Sequence, residues 1–332
     1  MAIKPDRHHP QPEWHRADGT PQSRHSANHP SPVIRPGTRH SRKLPLGLGA
    51  KTVPSGARAC YGGWMNTPAP PRILSIAGSD SSGGAGIQVD IKTIAMLGGY
   101  AMTAITAITA QNTCGVQGIE PVTPEMVARQ IASCVDDIGV DAVKIGMLAD
   151  APVIAAVAGA LGGVAAPIVL DPVMIATSGA VLVGPEAVAA LRETLFPRAT
   201  VLTPNLPELA HIAGRALPTH AAMVDAAQEL SAATGAAVLA KGGHATSERI
   251  TDVLIVPGEA PLAFDHARID TRHTHGTGCT LSSAIATLLG RGESLPDAVA
   301  QARRFVFAAI EAAPGYGAGH GPLGHQAVRG HS

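Results

Sequence analysis

The chain has no run of about 18 uninterrupted apolar residues free of turn residues, so no membrane-spanning helix is expected. It has no close cysteine pair. Cys60, Cys114, Cys134 and Cys279 are scattered, which excludes a zinc knot or a disulfide framework and suits a reducing, cytoplasmic compartment. It has no net charge, with 25 Lys and Arg against 25 Asp and Glu, which argues against a nucleic-acid binder that tracks phosphates. No internal repeat is visible. A secretory signal would need a basic start followed by an apolar stretch, but the early residues read KPDRHHPQPEWH.

What is present divides in two. Residues 1–71 are rich in Pro, His, Arg and Ser and lack a sustained apolar period, so this leader is expected to be disordered on its own. Its Arg-rich, acid-poor composition is that of an organelle transit peptide, but the amphipathic helix such signals need is missing. Met65 stands seven residues before the first strand and offers an alternative translation start. Residues 72–325 read as one α/β domain, followed by a short tail, 326–332. The domain shows short apolar runs, ILSIA, YAMTAITAIT, DAVKIG, PIVLD, TVLTP, AAVLAKG and ITDVLIV, separated by helical periods. Most of these runs lack polar alternation, as expected of parallel strands buried on both faces. Eight helices are expected, over 87–97, 124–137, 152–161, 185–195, 206–213, 220–233, 277–289 and 295–312.

Two glycine-rich turns carry the sharpest chemical signals. GSDSSGGAG, from Gly78 to Gly86, follows the first strand and precedes a helix, the position where open α/β sheets bind ligands. It is neither a P-loop, since no Lys-Ser/Thr pair follows the glycines, nor a dinucleotide fingerprint. A tight structural turn would explain the glycines equally, and Asp80 and Asp90 favour a site. The Asp90 carboxylate is expected to point back into the cleft. HTHGTGCT, from His273 to Thr280, leads into a strong helix. Gly276, Thr277 and Gly278 would let successive backbone N–H groups converge on an anion at a helix start. That geometry suits phosphoryl transfer. Cys279 falls in the first helical turn, where the dipole is expected to lower its pKa and make it a base for an alcohol.

Three further positions sit at strand ends. Asn205 and Glu208 in TPNLPE either form a helix capping box or face a Mg²⁺ carried by phosphates. Lys241 in AKGGH, one of three lysines beyond residue 71, is either a phosphate contact or a surface lysine. Asp171 ends PIVLD and either orients Mg²⁺ waters or caps the next turn. The histidines share no metal-ligand spacing, and zinc is not expected.

Taken in order, AGSDSSGGAGIQVDIKT, TAQNTCGVQ, KIGML, VLDPVM, LTPNLPE, KGGH and HTHGTGCTLS resemble the hydroxymethylpyrimidine/phosphomethylpyrimidine kinase family over nearly all of 72–325. The resemblance implies a ribokinase-like three-layer α/β/α fold with a central, mostly parallel sheet. It implies transfer of the γ-phosphate of ATP, with Mg²⁺, to hydroxymethylpyrimidine and then to its monophosphate in thiamine synthesis. It also implies site roles. Asp90 and Gln111 would hydrogen-bond the aminopyrimidine, Met147 and Val173 would contact its ring, and Gly78 opens the turn beside it. Cys279 takes the family's catalytic position above an anion hole of Gly276, Thr277 and Gly278. Asn205 and Glu208 would serve Mg·ATP, Asp171 and Glu208 would meet the metal, Lys241 would lie near the phosphates, and relatives are commonly homodimers. The nearest alternative is a pyridoxal kinase, and a non-catalytic ligand-binding regulator is the alternative from another class. The intact GTGC loop and Asp90 weigh against the regulator.

Overall fold

Runs of β-branched and aliphatic residues with no polar alternation can only be stable where both faces are covered, and the structure, a computed structural model, covers them with helices. It describes residues 69–174, 184–243 and 248–328. The leader up to residue 68, the alternative start Met65, His244 of the AKGGH motif and the last four residues of the tail lie outside the described residues.

Ten strands are present among the described residues: β1 (Arg72–Ala77), β2 (Tyr100–Ile105), β3 (Ala107–Asn112), β4 (Gly115–Pro121), β5 (Ala142–Ile145), β6 (Ile168–Leu170), β7 (Val201–Leu202), β8 (Ala237–Ala240), β9 (Arg249–Ile255) and β10 (Leu262–Ala267). Eight of them form one sheet in the order β10-β9-β8-β7-β6-β5-β1-β2. The pairs from β2 to β8 are parallel, whereas β9 and β10 add antiparallel edges. The sheet is therefore mostly parallel, as expected.

The helices are α1 (Gly86–Met96), α2 (Pro124–Asp137), α3 (Ala151–Ala160), α4 (Pro185–Ala190), α5 (Leu206–Ala213), α6 (His220–Thr234), α7 (Thr277–Gly290) and α8 (Leu295–Glu311). Their starts follow the sequence. Thr123, Asp150, Thr219 and Ser294 each accept a backbone N–H from the first turn that follows, and Gly214 and Gly235 close α5 and α6 in the left-handed region. Strand alternation sorts the side chains into two cores. Leu74, Ile76, Val143, Ile145, Ile168 and Leu170 pack with α2 to α6, while Ile73, Ala142 and Val169 pack with α1, α7 and α8. Helix α7 is buried on nearly every side, so its amino end is fixed by packing.

Two departures from the expected elements matter. The run from Tyr100 is not one strand: it breaks at Thr106, whose hydroxyl donates to the Met147 carbonyl, and β3 leaves the sheet to pair with β4 as a separate ribbon. The expected helix over 185–195 changes its winding, with α4 giving way to a π-helical turn over Leu191–Leu195. At the carboxyl end, Val328 is buried with Phe305, Ala309 and Leu323, so packed chain continues past the boundary expected at 325.

Candidate active site

The two glycine-rich turns interlock. Asp80, buried, accepts the Ser82 N–H at 2.9 Å, the Ser82 hydroxyl at 2.7 Å and the Ala85 N–H at 2.8 Å, and its carboxylate lies 2.8 Å from His275 Nε2. Burial pushes the Asp80 carboxyl up, but the hydrogen bonds from His275 and Ser82 outweigh it and hold the pKa below the ordinary value. Gly276, the N-cap of α7, has φ +85°, and a Cβ there would stand 1.9 Å from the Gly84 carbonyl oxygen. Only glycine meets both demands. Asp80 thus folds the first turn and ties it to the second.

The start of α7 forms one wall of a cleft of about 720 Å³, within the range of small-molecule sites. Gly276, Thr277, Gly278 and Cys279 all border it. The structure corrects two expectations here. Asp90 does not reach the cleft wall: it is wholly buried, with both oxygens bound by Lys144 Nζ at 2.8 and 3.0 Å and hydroxyls donated by Ser75 at 2.5 Å and Ser283 at 2.6 Å. Its acceptor capacity is filled by protein. Nor is the Cys279 thiol acidified. Burial pushes its pKa up to about 11, against the opposing pull of Lys144 and a hydrogen bond from the Gly86 N–H.

At the ends of β6 and β8, Lys241 Nζ lies 2.8 Å from Asp171, which also accepts the Thr203 hydroxyl at 3.0 Å. A Cβ on Gly278 would come within 3.1 Å of Asp171 Oδ2 and 3.4 Å of Lys241 Nζ, so this pair stands directly against the anion loop. Burial would lower the Lys241 pKa, but the charges of Asp171 and Glu208 raise it above the ordinary value, and the ammonium is secure at neutral pH. Asn205 and Glu208 make the full capping box, both bonds at 2.9 Å, and both border the cleft. Of the two sequence alternatives, the capping box is the one the structure makes. Burial and the neighbouring Asp171 charge raise the Glu208 pKa to about 7 despite Lys241.

The opposite end is apolar with one amide. The β3–β4 ribbon pairs Thr109 with Ile119 and Gln111 with Val116, and these four line the cleft while Ile108 stands outward. Gln111 Nε2 lies 3.4 Å from His275 Nε2. Met147 and Val173 complete this wall, and a Cβ on Gly78 would come within 2.5 Å of Met147 Cε, so glycine leaves room for the methionine. The structure brings together every expected site residue except Asp90.

The sequence reading passed over three contributors. Lys144 is signalled only as a lone lysine in the apolar run DAVKIG. His275 lies within HTHGTGCT, where the glycines carry the signal and the histidine has no assigned role. A third wall, with His266 edge-on to Phe307 at 3.9 Å between ring centroids and Arg303 bound to Asp252 at 2.8 Å, depends on β10, which was not foreseen.

Comparison with known proteins agrees with this geometry. The phosphomethylpyrimidine kinase family model matches residues 80–324. The chain is 49% identical over 255 residues to a hydroxymethylpyrimidine/phosphomethylpyrimidine kinase of Rhizobium meliloti, covering 76% of this chain and 96% of that protein. It is 46% identical over 254 residues to a thiamine biosynthesis bifunctional protein of Geobacter sulfurreducens, covering 76% of this chain but only 52% of that longer protein. Among solved structures, an ADP complex of Bacillus subtilis pyridoxal kinase superposes with a TM-score of 0.72 at 38% identity, covering 78% of this chain and 98% of that one.

Proposed function

The chain belongs to the phosphomethylpyrimidine kinase family, and from that premise we propose that it transfers the γ-phosphate of ATP to 4-amino-5-hydroxymethyl-2-methylpyrimidine and then to the resulting monophosphate, in thiamine biosynthesis. The observation that carries the proposal is one cleft bordered by the glycine loop at the start of α7, by Lys241 with two carboxylates, Asp171 and Glu208, and by Gln111 with the apolar side chains of Met147 and Val173.

Each part has a task. The Gln111 amide donates and accepts at once, which matches the alternating edge of an aminopyrimidine, while Met147 and Val173 give its ring apolar walls. The Gly276–Gly278 backbone and the amino end of α7 meet charge on the transferring phosphoryl group, and Lys241 stands beside them as a fixed cation. The acceptor oxygen loses its proton towards Cys279, bonds to the γ-phosphorus as the β–γ bridging bond breaks, and ADP leaves. Burial keeps the thiol protonated at neutral pH, so its basic form depends on the charges around it.

Mg²⁺ is part of the proposal. Asp171 and Glu208 face the same cleft and repel one another, which suits a hydrated cation carried by phosphates. Among the described residues no three metal-ligating side chains converge, so water-mediated contact fits better than a protein cage. The ion would neutralise phosphate charge. A homodimer and a cytoplasmic location complete the reading. Ile108, 57% exposed on a two-stranded ribbon detached from the sheet, favours partner contact there. Among the described residues, no helix is long and apolar enough to cross a membrane.

The test is ADP release on addition of the pyrimidine or its monophosphate, for wild type and Cys279→Ala. Turnover of both substrates and its loss in the variant are expected. Wild-type turnover of neither would overturn the assignment.

A further inference from the structure

A lysine wholly buried in a strand is expensive unless paired, and a buried pair can usually be replaced by apolar residues without loss of stability. The fold therefore has no need of an ion pair beneath the anion loop, yet it builds one from four elements. Ser75 on β1 and Lys144 on β5 are register partners on the same sheet face. Asp90 comes from α1 and Ser283 from α7, and the Lys144 Nζ to Asp90 contacts are 2.8 and 3.0 Å with both side chains at zero exposure. Every acceptor on Asp90 is occupied, so Asp90 has none left for an incoming ligand.

Lys144 borders the cleft beside Gly278 and Cys279, whereas Asp90 lies behind it. The charged groups that act on Cys279 come from four places: Lys144 on β5, Asp90 on α1, Asp171 after β6 and Lys241 after β8. Asp171 and Lys241 also face the open cleft, where phosphates would engage them. Lys144 and Asp90 are the two held to each other with both side chains at zero exposure.

We propose that the sealed Asp90–Lys144 pair is a built-in electrostatic device, with Lys144 as the positioning residue that governs how readily Cys279 gives up its proton. The role in turnover rests on the kinase reading above. The effect on the thiol does not. Lys144 favours the thiolate, Asp90 opposes it, and the stronger influence is that of Lys144. Removing Asp90 leaves the cation less neutralised and so favours the thiolate, whereas removing Lys144 leaves an anion that disfavours it.

The experiment is the rate of alkylation of Cys279 by iodoacetamide at pH 8, without nucleotide or pyrimidine, in a chain carrying Cys60→Ser, Cys114→Ser and Cys134→Ala. Wild type is compared with Asp90→Asn, Lys144→Met and the double variant, which removes both charges and so avoids an unpaired buried ion. The expected order of rates, from fastest to slowest, is Asp90→Asn, wild type, double variant, Lys144→Met. Lys144→Met should slow alkylation about tenfold, since one unit of pKa is tenfold in thiolate. If Lys144→Met does not fold, Asp90→Asn and the double variant on either side of wild type decide the matter. Coincident rates in the folded variants, or a reversed order, would overturn the proposal. ADP release by the unmodified chain is measured beside it. No turnover with the order intact removes the kinase reading alone, and full turnover with coincident rates removes this proposal alone.

Discussion

Two Asp–Lys pairs flank the anion loop, with the same 2.8 Å contact and opposite accessibility. Asp90 and Lys144 are sealed, at zero exposure for both side chains, while Asp171 and Lys241 border the cleft with Lys241 14% exposed. In the first pair, Ser75 and Ser283 fill the remaining acceptors of Asp90. Among the described residues, the second pair has the Thr203 hydroxyl in addition. Identical chemistry therefore serves two purposes: a sealed pair is a constant of the site, and an open pair can share its cation with an incoming phosphate.

Breaking the sealed pair should cost the most stability. Lys144→Met leaves Asp90 buried and uncompensated, and about 3–5 kcal/mol should be lost in urea unfolding. The double variant Asp90→Asn/Lys144→Met should recover most of that loss, and a double variant as unstable as the single would contradict the comparison. Breaking the open pair should act on turnover instead. Lys241→Met is expected to lower kcat by roughly 10²–10³-fold, in the range of one lost charge-stabilising donor, with a smaller change in unfolding free energy than Lys144→Met. Steady-state kinetics with ATP and denaturation of the same preparation check both halves.

A third variant sharpens the contrast through pH. Burial raises the Glu208 pKa from 4.5 to about 7, so in the window between those values the folded state holds a proton that the unfolded state has released. Stability then falls as pH rises through that window, by linkage. Glu208→Gln should flatten that part of the stability profile, measured as the midpoint of urea unfolding at pH 4.5, 6 and 7.5. The smallest effect belongs to a fully solvated pair. Arg215→Ala breaks the exposed contact with Glu229 and should leave the melting temperature unchanged within error.

Much of this was legible in the sequence because strand-end position and residue type together limit what a side chain can do. Strand-end position leaves Lys241, Asp171 and Glu208 with two readings each, one of them at the ligand edge, and all three border the cleft together with Gly276. Asn205 and Glu208 also showed their capping spacing, and the structure makes that box. The fold followed from apolar runs without alternation, which only a sheet covered on both faces can bury. The ribbon strand β4, GVQGIEP, carried no such signal, since its two glycines and exposed face break the pattern. Strand β10, LAFDHA, is likewise an exposed antiparallel edge.

Two errors have a common cause. Asp90 was expected to face the cleft because helix position says where a residue sits along the chain but not that Lys144 lies opposite it in space. Cys279 was expected to be acidified by the helix terminus because the dipole is visible in sequence whereas burial is not, and burial dominates. The Asp90 correction depends on the register that sets Ser75 against Lys144, a long-range pairing no local pattern encodes.

The central claim concerns the acceptor, and direct competition tests it most closely: limiting ATP, with equal concentrations of hydroxymethylpyrimidine and pyridoxal in one reaction, and products counted by ³¹P NMR. The amide and apolar walls at Gln111, Met147 and Val173 predict that phosphomethylpyrimidine, and then its pyrophosphate, will dominate the products. Pyridoxal phosphate as the main product, with the pyrimidine left unreacted, would contradict the account.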